Sequence, residues 1–282
     1  MLNVDILLFI WEIFLLVVLL AAAWHLRLSR KKLLSEKTHY EAQLAELEAQ
    51  KNSLADVSLN LLELKDALEL EQRKSAELLR NILPDRVIDD LRQKGFSAPE
   101  RFDNVTVFFS DIVGFTEIAP KIDPALLIKE LSDIFGEFDR IFASYNCQRI
   151  KTVGDAYMAV AGMPESDEYH YRHILLAAME ARAYLIDRNR QEGKLKWLMR
   201  FGLNSGSVVG GIVGRDKYIY DIFGDTVNIA SRMEHASETM KINVSEATYQ
   251  LAKDDFAFVR RGDVLVKGKG ALAMYFLEGL NR

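Results

Sequence analysis

Cysteine is nearly absent from this 282-residue chain: Cys147 stands alone. That excludes an intrachain disulfide framework and any Cys-rich zinc module. Prolines number 5 and glycines 16, which rules out collagen-like and Pro-rich linker classes. There is no basic excess either. The 36 Lys+Arg against 41 Asp+Glu leave a net charge of -5, so no nucleic-acid partner is expected. What is plentiful is apolar residue, 49% hydrophobic against 27% charged, the balance of a folded chain. The length accommodates one good-sized domain plus a further element.

The apolar residues concentrate at the start. Ile6 to Leu26 reads ILLFIWEIFLLVVLLAAAWHL, about the 20 residues that cross a bilayer as a helix. Residues 1–5 form a short tail before it. Glu12 disturbs the run, at a cost of roughly 2.5 kcal/mol or more if it lies at mid-membrane. Trp11 and Trp24 are candidates for the two interfaces. Arg27, Arg30, Lys31 and Lys32 follow the run, and only Asp5 precedes it. Positive charge stays on the cytoplasmic side. The reading is a single-pass anchor in the cell (inner) membrane, with the body cytoplasmic. A cleaved signal peptide is the rival, since Ala21-Ala22-Ala23 resembles a cleavage site, but the positive n-region is missing.

Residues 27–77 read as a helical stalk. Between Leu33 and Leu83 there is no glycine or proline, and strong helix formers dominate. Tyr40, Leu47, Leu54, Leu61 and Leu68 recur every seven residues. Leu44, Val57 and Leu64 supply the neighbouring seam, with a frame shift between Leu44 and Val57. Lys51 and Ser58 weaken it locally. Sustained heptads predict a parallel dimeric coiled coil. A lone helix packed on the body is the alternative, made awkward by a length of about 75 Å. Residues 78–98 follow, with Pro84 breaking the helix and Asp85 placed to cap the next. Leu79, Ile82, Leu83, Val87, Ile88 and Leu91 fall at helical spacing. A stiff coupling segment and a plain linker are both compatible with this stretch.

Residues 99–282 carry the chemistry. A strand is predicted over Val105–Ile112, ending in Asp111 and followed by VGFT. A helix is predicted from Pro124 to Asn146, with proline in its first turn. QRIKTV, Gln148–Val153, and AYMAVA, from Ala156, form a hairpin around the turn Gly154-Asp155. If that hairpin pairs with the first strand, Asp111 and Asp155 sit at one rim of the sheet. Two carboxylates so placed share divalent ions, Mg²⁺ or Mn²⁺, and two such ions suit phosphoryl chemistry. The amides of Gly114, Phe115 and Thr116 lie in a turn entering a helix, a phosphate cradle. An isolated Asp after a strand is more often turn chemistry. A second acid in a hairpin turn, with Lys151 four residues before it, weakens that reading.

A second block is YIYDIFGDTVNIASRMEHA. Asp221 is expected to end a short strand and Gly224-Asp225 to turn the chain. Asn228 and Arg232 are spaced i, i+4 on one face of the following helix. Lys267, in VKGKG, is expected in a hairpin loop. Weaker signals get plainer readings. His170 and His173 are read as a solvated helix face, because no third ligand is evident. Glycines 206, 210, 211 and 214 are read as a close-packed hairpin, lacking the ending of a P-loop. Cys147 and the stripe from Phe135 to Phe142 are read as core.

FFSDIVGFT, RIKTVGDAYMAVAG, MRFGLNSGSVVGGIVG, YDIFGDTVNIASRM and VKGKG resemble the class III nucleotidyl cyclase catalytic domain in order and spacing, over about Pro99 to Leu280. The segment around Leu79 to Gly95 is similar to the helical transducer before such domains. The resemblance implies a ferredoxin-like α+β fold, active as a dimer. It implies that Asp111 and Asp155 bind the two metals with help from the Ile112 carbonyl. By the same resemblance Lys151 and Asp221 read the base, Asn228 orients the ribose and Arg232 stabilises the transition state. Arg200 and Lys267 contact the triphosphate. The metal acids come from one chain and the base readers, Asn, Arg and Lys from the other, so a homodimer holds two complete sites.

Adenine offers an acceptor at N1 and a donor at its amino group; guanine offers the reverse. Lysine only donates and ionised aspartate only accepts. Lys151 with Asp221 therefore fits adenine and leaves guanine with unmatched buried groups. Guanylate-specific members differ here, with Glu and Cys. The expectation is a membrane-anchored adenylate cyclase turning ATP into 3′,5′-cyclic AMP. The alternative is a catalytically silent nucleotide sensor or dimer scaffold. The anchor is expected to pair with a separate membrane receptor or to respond to lipid, with Glu12 as a candidate contact.

Overall fold

A computed structural model of the chain describes residues 4–80, 82–214, 218–266 and 270–281. The chain divides into two units, one ending at Glu77 and one beginning at Leu78.

The first unit is helical. Helix α1 spans Val4–Arg80 without interruption, as expected of a stretch with neither glycine nor proline. It is long and apolar enough to cross a membrane, with a mean hydropathy of 2.8 over its most apolar window. Within the first unit, Tyr40, Leu47, Leu54, Leu61 and Leu68 are 58–70% exposed.

The second unit is built around an eight-stranded sheet. It opens with α2 (Asp85–Lys94), followed by β1 (Glu100–Ile112), the short α3 (Phe115–Ile118) and α4 (Pro124–Ser144). Next come β2 (Gln148–Val153), β3 (Ala156–Ala161), α5 (His170–Arg190) and β4 (Met199–Val213). The strand order β2-β3-β1-β4, with both β3 and β4 antiparallel to β1, is the ferredoxin-like arrangement. Beyond it lie β5 (Ile219–Phe223), α6 (Asp225–His235), β6 (Ile242–Ser245), α7 (Glu246–Ala252), β7 (Phe256–Val266) and β8 (Gly270–Leu280). β5 pairs antiparallel with β4, β6 pairs parallel with β4, and β8 and β7 continue the sheet.

The central strands are buried on both faces. Along β3, Tyr157, Ala159 and Ala161 join one core while Met158 and Val160 join the other, the two-residue alternation of a strand. The first core lies under α4 and α5 and includes Phe108, Phe138, Phe142 and Trp197. Within it Glu130 is buried between Arg188 and the Trp197 indole N–H, the latter at 2.9 Å, so its charge is paired where an unpaired one would be costly. The second core takes Leu83, Val87 and Ile88 from the segment around α2, so this stretch packs on the body. Ile82, from the same predicted apolar set, is 64% exposed.

Several local expectations need correction. β1 starts at Glu100, five residues before the predicted strand, because its outer end pairs with the far half of β4. α4 stops at Ser144, and Asn146 turns with φ +56°. Its start is as expected: Pro124 opens it and the Asp123 carboxylate accepts from the N–H groups of Ala125 and Leu126, both at 3.0 Å. Asp85 does not cap α2. Pro84 occupies the N-cap, and Asp85 is the first helical residue, where it meets Arg80 Nε at 2.8 Å.

Candidate active site

Asp111 is the penultimate residue of β1, and Asp155 is the second residue of the turn joining β2 to β3. Gly154 supplies the positive φ, +64°, that lets so short a turn close. Because β3 pairs with β1, the turn brings Asp155 against the end of β1. The Asp155 carboxyl is pushed up to about 6, first by burial and then by the charge of Asp111 and a hydrogen bond to it. The main-chain N–H groups of Asp155 and Ile112 partly offset this. Ile112 closes the strand with its side chain in the first core.

Positive charge reaches this acid pair from β4. Arg200 lies directly opposite Asp111 in the β1–β4 register. Its Nη2 donates to Asp111 at 3.2 Å and its Nε to Glu234, on α6, at 2.9 Å. Glu234 is buried, with a side chain only 3% exposed, and burial raises its pKa. Sequence reasoning passed over Glu234. It lies two residues beyond Arg232, on the same helix, but nothing local marks it as the carboxylate that holds Arg200.

Among the described residues no group of three or more His, Cys, Asp and Glu side chains could hold a metal. Two carboxylates in contact, one already raised by the other's charge, are nonetheless an oxygen pair that a hard cation relieves. Mg²⁺ completes its shell with water, carbonyl and phosphate oxygens, so a two-carboxylate site fits.

After β1, Gly114 has φ +71° and precedes α3. Its carbonyl accepts from Glu117 and Ile118 N–H at 3.0 and 3.1 Å. The amides of Phe115 and Thr116, as the first two of a helix, have no intrahelical acceptor. The helix is only four residues long, so whatever these donors offer is local hydrogen bonding with little dipole behind it.

Lys151 and Asp221 meet. Nζ lies 2.5 Å from Oδ2, joining β2 to β5, which are not sheet neighbours. Asp221 sits in the middle of β5 and not at its end, a correction to the sequence reading. Its neighbours Tyr220 and Ile222 face the second core, which leaves Asp221 on the other side of the strand.

Asn228 and Arg232 lie one turn apart on α6. Asn228 is exposed. Arg232 Nη1 is buried and has no hydrogen-bond partner among the described residues. A buried donor left unpaired is costly, and an anionic oxygen from outside the chain would satisfy it. α6 itself is tied down from the sheet. Asn204 Nδ2 donates to Thr226 O at 3.0 Å, Thr226 Oγ1 to Ser207 O at 2.6 Å, and Asn243 Nδ2 to Met233 O at 2.8 Å. Gly202 lets the helix approach β4: a Cβ there would lie 1.9 Å from Glu234 N.

Lys267, and with it most of VKGKG, lies outside the described residues. The histidine reading needs correction. His170 is 5% exposed, and its Nδ1 lies 2.7 Å from Thr106 Oγ1 in a buried polar row that continues to Ser205 and Thr248. His173 pairs with Asp167 at 2.6 Å. The helical spacing was right, but β1 covers the first histidine. Cys147 is buried and its thiol is pushed up to about 12 by that burial. Gly210 and Gly211 face Ile222 and Asp221 in the close β4–β5 pair.

Three comparisons bear on this geometry. A sequence profile for the adenylate and guanylate cyclase catalytic domain matches residues 97–279. A receptor-type guanylate cyclase of Caenorhabditis elegans is 38% identical over 214 residues, 74% of this chain and 17% of that protein. This chain spans about a fifth of the length of such curated relatives. Among solved structures, a guanylate cyclase domain from Catenaria anguillulae in complex with GTP is similar at 33% identity, covering 64% of this chain and all of that one, with a TM-score of 0.62. An adenylyl cyclase from P. aeruginosa is similar at 31% identity, covering 66% and 98%, with a TM-score of 0.62.

Proposed function

This chain belongs to the adenylate and guanylate cyclase catalytic-domain family of class III cyclases, and from that premise we propose that it converts ATP to 3′,5′-cyclic AMP and pyrophosphate at sites shared by two copies. The observation that carries the choice of ATP is the Lys151–Asp221 pair at 2.5 Å. An adenine entering between these groups finds a donor for N1 in Lys151 and an acceptor for its amino group in Asp221. Guanine finds each group facing its own kind.

The remaining roles follow the same reading. Asp111 and Asp155, with the Ile112 main-chain carbonyl, hold Mg²⁺ or Mn²⁺. When bound, the ions supply Lewis acidity at the ribose 3′-oxygen and neutralise charge on the departing pyrophosphate. Asn228 orients the ribose. Arg232, with a guanidinium nitrogen left unpaired, meets the charge growing on the α-phosphate oxygens, a contribution of roughly 3 kcal/mol when preorganised. Arg200, Lys267 and the amides of Gly114, Phe115 and Thr116 contact the triphosphate. The proton leaves to water or a substrate phosphate, since no side chain stands out as base.

Around this chemistry two copies join through a parallel coiled coil over residues 27–77, with an anchor crossing the inner membrane over residues 6–26 and a cytoplasmic body. The input comes from a membrane receptor or from lipid. The exposed heptad leucines and the apolar window of α1 support this part.

A second reading, GTP to cyclic GMP, is favoured by the receptor-type guanylate cyclases among the relatives. Turnover of ATP and GTP with Mn²⁺ separates the two, and no turnover of either leaves the silent module. The cross-chain arrangement is tested by mixing Asp111→Ala with Arg232→Ala. Each alone is inactive. Mixed dimers keep one site with both residues intact and regain activity; if exchange is demonstrated and activity stays absent, the shared site is wrong.

A further inference from the structure

One stripe of α1 runs from the heptad region back into the apolar N-terminal segment. The heptad residues Tyr40, Leu47, Leu54, Leu61 and Leu68 extend backwards at the same spacing through Leu33, Leu26 and Leu19 to Glu12. The helix has no break between them, running unbroken over Val4–Arg80. Every other helical stripe meets a charged or polar residue between Arg27 and Ser35. This stripe alone stays apolar from Leu19 to Leu68. Leu19, Leu26 and Leu33 are 59%, 71% and 70% exposed in the single chain.

A straight helix drifts about 20° per heptad, and a left-handed supercoil removes the drift. Membrane helix pairs mostly cross with the same hand, near +20°. One seven-residue register therefore serves both the stalk and the span. Resting on the parallel homodimer proposed above, we infer that the membrane spans also pair along this stripe, and that Glu12 of each copy faces Glu12 of the other as a reciprocal carboxyl–carboxyl hydrogen bond. A carboxyl in its acid form has one donor and a free acceptor, so two facing copies satisfy each other. An isolated one inside hydrocarbon is left unsatisfied. The occupant of this face is a second copy of the chain, because the stripe holding Glu12 is the one that becomes the stalk seam.

The test uses the full chain, purified and placed in phosphatidylcholine/phosphatidylglycerol vesicles with no other protein. Single cysteines are introduced on the stripe at Leu19→Cys and Leu26→Cys, off it at Val17→Cys and Ala21→Cys, and in the stalk at Leu54→Cys and Leu61→Cys. Oxidative crosslinking is expected to be several-fold faster at all stripe and stalk positions than at the two off-stripe positions. In the Leu19→Cys chain, Glu12→Gln keeps the rate, since an amide also donates and accepts. Glu12→Leu lowers it roughly 3- to 30-fold, the scale of one interhelical hydrogen bond. Stalk crosslinks without a preference for Leu19 and Leu26 overturn this inference and leave the dimer standing. No stalk crosslinks overturn the dimer itself. An unaltered rate with Glu12→Leu removes the carboxyl pair. Leu19→Cys and Leu26→Cys chains that crosslink to another protein in native membranes, and not to each other there or in these vesicles, assign the face to a separate partner and defeat the proposal.

Discussion

Lys151 and Asp221, 70 positions apart in sequence, are hydrogen-bonded to each other across two strands that share no ladder. The pair is only part-buried, with the lysine side chain 37% exposed and the aspartate 14%. Each group is thus held ready while the other keeps it neutralised. A base that enters must match a donor on one side and an acceptor on the other.

That matching gives the first prediction. Lys151→Glu combined with Asp221→Cys removes the donor and acceptor that suit adenine. The ratio of kcat/KM for ATP to that for GTP is expected to fall by at least about 100-fold. Product formation from each nucleotide with Mn²⁺ measures it, and an unchanged ratio would dismiss base reading by this pair.

Arg200 gives the second. Its guanidinium is shared between Asp111 and the buried Glu234. Glu234→Gln keeps the shape but removes the charge that fixes Arg200. Unfolding midpoints are expected to drop by the equivalent of about 1–3 kcal/mol, the scale of a hydrogen bond to a charged group. If Arg200 contacts the triphosphate, KM for nucleotide rises more than kcat falls. A loss of stability with KM untouched makes Glu234 a purely structural residue.

The third concerns the approach of α6 to β4. A methyl group at Gly202 would lie 2.5 Å from the Met233 carbonyl carbon and from Glu234 Cα, and closer still to Glu234 N. These are backbone atoms, so the helix itself must move. Gly202→Ala is expected to destabilise the fold by about 1–3 kcal/mol. It is also expected to lower kcat by around 100-fold, because Asn228 and Arg232 ride on the displaced helix. A folded variant with wild-type turnover would show that their placement does not depend on this contact.

The fourth uses Asp155. Its carboxyl is raised to about 6 in the fold, above the ordinary carboxylate range. The metal-free fold therefore takes up a proton that the unfolded chain does not, over the window from about pH 6 down to about pH 4. Stability from this group is greatest below about pH 4 and is lost as the pH rises through 6. Wild type minus Asp155→Asn, followed by thermal unfolding in chelator, isolates that slope. With Mn²⁺ present the sign reverses, because ion binding favours the ionised form and stabilises the fold at neutral pH. A difference curve that stays flat in chelator contradicts the contact between the two acids.

Much of the body was legible in its residues. The β2–β3 hairpin shows itself in the run of β-branched and aromatic residues on either side of Gly154-Asp155, and α6 in the spacing that puts Asn228 and Arg232 on one face. Both signals are local, set by turn chemistry and by helical repeat. His170 was misjudged because helical spacing says where a residue lies on its own helix but not what covers it; the cover is Thr106 of β1, 64 positions away. Asp85 was misjudged because a capping pattern does not tell which of two adjacent residues leaves the helix.

From the order of residues alone came the elements: a long helix free of breakers, its seven-residue apolar repeat, and acids at a strand end and a hairpin tip. Those depend on short-range sterics and repeat, which the chain carries in every neighbourhood. Tertiary structure alone decided that Asp155 touches Asp111, that Glu234 holds Arg200, and that Lys151 reaches Asp221. Such contacts follow from strand order and from how closely a helix can lie on the sheet, and those are settled only when distant segments compete to bury the same apolar surface.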